Sequence, residues 1–345
     1  MSKLLDKMKA AGSIASATIL SDSLFFTDRD MTPMEIPILN IAFSGNLDGG
    51  LTSGLTTVAG PSKHFKSNLG LVMIKAYMKK HKDAVCLFYD SEFGITPEYM
   101  ASHEIDITRV IHIPLEHIEQ LKFDISKRLN EIVRGDKVFI FIDSIGNLAS
   151  KKEVEDAENE KSVADMSRAK MLKSVFRIVT PHLTTKDIPM VVINHTYEET
   201  GMFPKTIVSG GTGIYYSSST IWIVGRSQEK TAEGVVGWNF NINVEKSRFT
   251  KEKSKLVFSV NYDKGIDRWS GLLDLGITLG YVTKPKVGWY SKQGDDKLYR
   301  EADTHNSAFW NPILNDPQFK ADVQNKYMLA YRSMLTDEPV DEVAA

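Results

Sequence analysis

GPSKHFKSN, residues 60–68, decides how the rest of the chain is read. It fits the phosphate-binding pattern G-x-x-x-x-G-K-[ST] at Gly60, Lys66 and Ser67, but Phe65 stands where the pattern has its second glycine. Letters alone are weak, because at average glycine usage the relaxed pattern arises by chance in roughly one chain in five of this length. The context is stronger. LTTVAG (55–60) reads as a strand entering the loop and LGLVMIKAYMKK (69–80) as the helix leaving it. Such a loop aims successive backbone N–H groups and a helix N-terminus at one point, which suits a phosphate. Pro61, Ser62, Lys63, His64 and Asn68 would complete the cradle, Lys66 would reach the β and γ oxygens, and the Ser67 hydroxyl would hold Mg²⁺. A Cβ and ring at Phe65 disfavour the positive φ that glycine tolerates, so a different backbone path or a looser grip is expected.

Outward from the loop, short apolar runs alternate with helical segments. AVCLFYD (84–90), RVIHIP (109–114), KVFIFID (137–143), IPMVVINH (188–195) and STIWIVGR (219–226) read as strands. Pro97 opens one intervening helix, and Leu115, Ile118, Leu121, Ile125, Leu129 and Ile132 recur at helical steps of three and four. A further helix is expected over roughly 162–180. Continuous apolar strands between helices predict an α/β fold whose mostly parallel sheet is covered on both faces. After residue 225 the pattern alternates, in WNFNINVEKSRF (238–249) and KSKLVFSVNYD (253–263), which predicts an antiparallel extension.

The ends read as appendages. Residues 1–30 carry KLLDKMKA (3–10), an amphipathic helix with Leu4, Leu5 and Met8 on one face, suited to docking on a partner subunit; a polar stretch with Pro33 and Pro37 separates it from the body. Residues 31–270 form the expected core, and 271–345 a small C-terminal domain ending in the acidic tail TDEPVDEVAA (336–345).

Among 345 residues, 42 Lys and Arg nearly balance 44 Asp and Glu, so any DNA-binding surface must be local and no membrane partner is advertised. The lone Cys86 excludes a disulfide within the chain and fits a reducing compartment. Asp6, Lys7 and Lys9 break up any signal-peptide reading of the N-terminus, and no apolar run is long enough to span a bilayer. A cytoplasmic protein is expected.

A phosphate loop needs a carboxylate on a neighbouring strand to complete its magnesium site, and Asp143, at the end of VFIFID and beside Ser144, is the candidate. Hydrolysis also needs a group to polarise water. Glu92, in YDSEF (89–93) just past a strand end, is the candidate general base, since residues beyond parallel strand ends gather in the ligand crevice.

The ordered series GPSKHFKS, LFYDSEFGITPEYM, VFIFIDSIGNL and MVVINH resembles the RecA-type recombinases over roughly residues 30–300, in the wording of members from T-even bacteriophages. The resemblance implies a RecA-like P-loop ATPase core using ATP and Mg²⁺, with Glu92 activating water and Tyr99 stacking on adenine. It places His195 at the γ-phosphate sensor, where bacterial members have glutamine; imidazole also donates a hydrogen bond, so the relay should persist with its own pH dependence. Two DNA-contacting loops fall on residues 150–170, with Arg168 and Lys170, and on 196–213. In the second, Lys205, Thr206, Ser209, Gly210, Gly211, Thr212 and Gly213 would let backbone N–H groups approach phosphates while Ile207 and Val208 separate bases. Lys246 and Arg248, two apart and so on one strand face, would reach a neighbour's γ-phosphate.

The implied function is homologous pairing and strand exchange between single-stranded DNA and a homologous duplex, in a helical filament with ATP at the subunit interface. Single-strand-binding and loader proteins would assist, in the cytoplasm of an infected bacterial host. A ring helicase on the same core and a non-catalytic recombination mediator are the alternatives; Lys66, Ser67, Glu92 and Asp143 speak against the second.

Overall fold

The computed structural model describes residues 3–27, 30–159, 167–199, 205–231 and 234–329. The acidic tail and parts of both candidate DNA loops (160–166 and 200–204) lie outside the described residues.

Each continuous apolar run has become a strand, buried on both faces except for RVIHIP at the sheet edge, whose residues are half-buried or exposed. The strands are β1 (Gly54–Ala59), β2 (Val85–Asp90), β3 (Val110–Pro114), β4 (Val138–Asp143) and β5 (Pro189–Asn194), followed by a hairpin of β6 (Thr196–Glu199) and β7 (Lys205–Val208). β8 (Thr220–Thr231), β9 (Gly234–Ser247), β10 (Lys255–Asn261) and the short β11 (Gly265–Ile266) follow. Among the described residues nine of these form one sheet in the order β11-β10-β9-β8-β1-β5-β4-β2-β3. β8 through β3 run parallel, and β9, β10 and β11 add antiparallel ladders at one side. Alternation within β4 sends Phe139 and Phe141 to one core and Ile140 and Ile142 to the other.

The helices cover both faces. α1 (Lys3–Ala11) and α2 (Leu24–Thr27) precede the body, and α3 (Pro37–Ser44) and α4 (Lys66–Lys80) bury their apolar residues in the first core. α5 (Pro97–Ser102) follows β2, while α6 (Ile118–Glu131), α7 (Lys151–Glu158), α8 (Ser167–Lys186) and α9 (Thr212–Ser217) lie further along; α6 and α8 pack the second core. All parallel strands end along one edge, so the loops after β1, β2, β4 and β5 converge there.

Three local expectations change. Pro37 does not merely mark a break: it opens α3, where its missing N–H costs nothing in the first turn, and Ile38, Leu39, Ile41 and Phe43 are buried. The charged stretch 150–158 is a helix started by a capping box between Ser150 and Glu153. The expected helix at 162–180 runs on through Pro181 to Lys186.

The C-terminal unit, α10 (Leu272–Thr278), the three-stranded sheet of β12 (Val282–Lys286), β13 (Trp289–Lys292) and β14 (Tyr299–Arg300), α11 (Ser307–Leu314) and α12 (Pro317–Tyr327), shares the first core. Phe309, Trp310, Phe319 and Val323 are buried in one cluster with Ile38, Phe258 and Leu272. The chain then passes so close to the α3 C-cap that a Cβ on Gly45, at φ 67°, would lie 2.5 Å from the Met328 Cα. By contrast Leu4, Leu5 and Met8 on α1 are exposed, an apolar face uncovered within this chain. Among the described residues no helix is long and apolar enough to cross a membrane.

Candidate active site

The candidate phosphate loop has, at Phe65, the positive φ that glycine tolerates. Phe65 sits at φ 59°, ψ 16°, the left-handed region, so the expected alternative path is not taken. The physical reason lies outside the loop: the half-buried ring packs against Phe240 and Phe258, with centroids 5.0 and 5.9 Å away. Removing such a ring costs about 2 kcal/mol of packing, whereas relief of left-handed strain recovers about 1 kcal/mol. Packing wins. Phe65→Gly, which restores the usual pattern, is therefore expected to lower stability by about 1 kcal/mol and to alter, not abolish, turnover. A urea midpoint that rises instead would show strain dominating. Gly60 is required for a different reason, since a Cβ there would lie 2.7 Å from the Val224 carbonyl of β8.

Lys66, 6% exposed, donates from Nζ to the Pro61 carbonyl at 2.7 Å. Burial pulls its ammonium below the ordinary lysine range, and the carboxylates of Glu92 and Asp143 oppose that fall. His64 Nδ1 lies 2.8 Å from the Ser62 carbonyl, and burial lowers its pKa. Asp143 is 3% exposed, and burial, with Glu92 and Asp90 nearby, pushes it up to about 7 against the Ser67 hydrogen bond and Lys66. Its Oδ1 is buried without a hydrogen-bond partner. An orphaned carboxylate oxygen beside a serine hydroxyl is the donor chemistry a hard divalent cation takes, so these residues fit Mg²⁺.

Glu92 faces the same crevice from the loop after β2. Its Oε1 accepts from Ser144 Oγ at 2.5 Å and Asn147 Nδ2 at 3.4 Å, and His195 Nε2 lies 3.2 Å away. Asp90 fixes the loop by accepting from the N–H groups of Glu92 and Phe93 at 3.0 and 2.8 Å. Sequence reasoning missed Asn147 and Asp90; the second was signalled by an aspartate two residues before the glutamate, an Asx-turn spacing. Gly146 makes room for the imidazole, since a Cβ there would lie 2.2 Å from His195 Cδ2. Buried Asn194 links this site to the second candidate DNA loop: its Oδ1 accepts from the His195 N–H at 2.8 Å and its Nδ2 donates to the Ser209 carbonyl at 2.7 Å. Tyr99 is exposed beside the loop helix, its hydroxyl donating to Asn68 at 2.7 Å.

The candidate DNA contacts divide. Lys170, Lys205, Thr206, Gly211 and Thr212 are exposed, and Ile207, Ser209 and Gly210 half-buried. Val208, 8% exposed, belongs to the second core with Leu172 and Ile214, which leaves Ile207 as the apolar candidate near the surface. Gly213 serves packing, as a Cβ there would lie 2.9 Å from Lys173 Cα on α8. The Arg168 guanidinium is spent on the carbonyls of Ile145, Gly146 and Leu148, at 2.8 to 2.9 Å, so it fixes the loop after β4. Residues 196–213, read as one loop, contain the β6–β7 hairpin and the start of α9.

Lys246 Nζ donates to the Tyr215 carbonyl at 2.7 Å, and burial lowers its pKa. Arg248 is exposed one residue beyond the end of β9, so strand alternation does not relate the two. Lys246 is paired with Ile221 at the start of β8, whereas Val224 and Arg226, further along that strand, touch the phosphate loop.

Comparison with known proteins places these motifs. The family model of the RecA N-terminal domain matches residues 35–267, and that of the C-terminal domain of the bacteriophage T4 recombination and repair protein matches residues 269–323. The recombination and repair protein of Enterobacteria phage T4 is 48% identical over 355 aligned residues, covering 99% of this chain and 91% of that protein. Protein RecA of Streptomyces venezuelae is 26% identical, covering 84% of this chain and 76% of its own length, and protein RecA of Pseudomonas putida 27%, covering 77% and 74%.

Proposed function

The chain belongs to the RecA family and has a RecA-like function in recombination and repair, and from that premise we propose a DNA-stimulated, Mg²⁺-dependent ATPase that polymerises on single-stranded DNA and exchanges strands with a homologous duplex. The observation that carries the reading is the hydrogen-bonded series from Glu92 through His195 and Asn194 to Ser209, which joins the water-activating position to a candidate DNA loop. The cradle of residues 60–68 holds the phosphates, Lys66 meets their negative charge, Tyr99 supplies a face for adenine, and Ser67 and Asp143 hold the ion. Bound Mg²⁺ supplies charge neutralisation at the phosphates. Ser144 and Asn147 orient the Glu92 carboxylate, which takes the proton of the attacking water.

Surfaces uncovered in the protomer support filament formation. Residues 1–30 present Leu4, Leu5 and Met8, and dock on the next subunit; residues 31–270 are the ATPase and DNA-binding core, and 271–345 the smaller C-terminal unit. Lys246 and Arg248 reach a neighbour's γ-phosphate, so ATP becomes part of the interface, as arginine fingers do in related chemistry. Single-strand-binding and loader proteins assist, and the cytoplasm of an infected bacterium is the setting.

The test incubates the protein with ATP, Mg²⁺, a single strand and a matching duplex, with electron micrographs of the same mixture. Joint molecules and helical filaments are expected. Absence of joint molecules under conditions that support DNA-stimulated ATPase, or closed rings that unwind forked duplex, would overturn the reading.

A further inference from the structure

Two residues with side chains hold left-handed backbone in the phosphate loop, Lys63 at φ 61° and Phe65 at φ 59°. Such a conformation persists only where the surroundings over-determine it. Phe65 has its restraint in the rings of Phe240 and Phe258. Lys63 is exposed, and its restraint acts on the backbone: Arg226 Nη1 donates to the Lys63 carbonyl at 2.9 Å. The guanidinium lies over the Trp238 ring, 4.2 Å from its centroid, and the Trp238 indole N–H donates to the Tyr262 hydroxyl at 2.7 Å. Arg226 and Phe240 are direct cross-strand partners between β8 and β9. The antiparallel extension thus braces both strained positions from two adjacent side chains.

We infer that Arg226 is a positioning residue for the triphosphate: it holds the Lys63 carbonyl turned out of the cradle, so that the loop's N–H groups point in. This rests on the reading that residues 60–68 bind ATP. Its planar fork suits the role, because one edge donates while the face stays on the indole, which a lysine ammonium cannot do. Glycine at position 63 takes the left-handed conformation without a brace, and this makes the inference separable from a direct contact between Arg226 and nucleotide.

The experiment measures Mg²⁺-dependent binding of a fluorescent N-methylanthraniloyl ATP to the full chain in four forms: wild type, Arg226→Ala, Lys63→Gly and the double variant. Arg226→Ala is expected to weaken binding about tenfold, as loss of one charge-assisted hydrogen bond does, and to raise KM for ATP with kcat within about twofold. In the Lys63→Gly background the same change is expected to cost no more than about twofold, because glycine holds the left-handed conformation without the strain that Arg226 restrains. Equal loss in both backgrounds, or none in either, overturns the inference. Should Arg226→Ala lose its far-ultraviolet circular dichroism, Arg226→Lys decides: most of the loss is expected, and full affinity overturns. Wild type that fails to bind the probe removes the nucleotide-site reading itself, whereas binding wild type with unaltered Arg226→Ala removes only the role of Arg226.

Discussion

Lys66→Ala is expected to abolish ATP turnover while leaving the fold intact. The ammonium is buried, tethered to the Pro61 carbonyl at 2.7 Å, and set against the carboxylates of Glu92 and Asp143. Removing one partner of a buried, hydrogen-bonded charge set costs about 2–5 kcal/mol at the step that uses it. That corresponds to roughly 30-fold to several thousand-fold in turnover. Folding responds differently, because burial already disfavours the charged ammonium and its loss removes that penalty. Thermal unfolding should therefore move little while DNA-stimulated phosphate release falls to background. Lys66→Arg should fail nearly as badly, since a planar fork cannot take the place of a compact point charge between the loop and its phosphate. Normal hydrolysis by Lys66→Ala would remove the assignment of the loop.

How far this site can be read from residue order depends on whether its parts are local. Asp143 and Glu92 were legible because apolar strands of a parallel sheet bring their ends to one edge, and the register that sets Asp90 opposite Asp143 follows from that pattern. The capping box at Ser150 and the first-turn proline at Pro37 were written locally too, but a run of charges and a pair of prolines outweighed them. What could not be read locally was set by distant packing. Phe65 holds a glycine conformation because Phe240 and Phe258, about 180 residues on, come to rest beside it. Arg168 looked like a DNA contact by charge, yet three carbonyls of a neighbouring loop claim its guanidinium. Val208 looked like a wedge by its apolarity, yet that same apolarity draws it into the core beside Leu172. In each case composition names the chemistry, and tertiary contact decides where it is spent.

Glu92→Gln is expected to lower ATP turnover by roughly 10²- to 10⁴-fold, the contribution of a positioned general base. The substitution keeps the shape of the side chain and an oxygen able to accept from Ser144 and Asn147, so the loop held by Asp90 should stay in place. What it removes is basicity, at the oxygen 3.2 Å from His195 Nε2. Nucleotide affinity should change by no more than a few-fold, since in the proposed function the loop and Lys66, not Glu92, hold the phosphates. The loss should therefore fall on kcat and not on KM. We expect hydrolysis to loosen the protein on DNA, so filaments of Glu92→Gln should form with ATP and disassemble more slowly than wild type. Stopped-time phosphate assays and filament dissociation after dilution measure the two effects on one protein. Turnover at the wild-type rate would place the base elsewhere, and a turnover defect without slower disassembly would separate hydrolysis from release. His195→Gln tells the relay from the base: it retains a hydrogen-bond donor, so it should spare most of the turnover that Glu92→Gln removes.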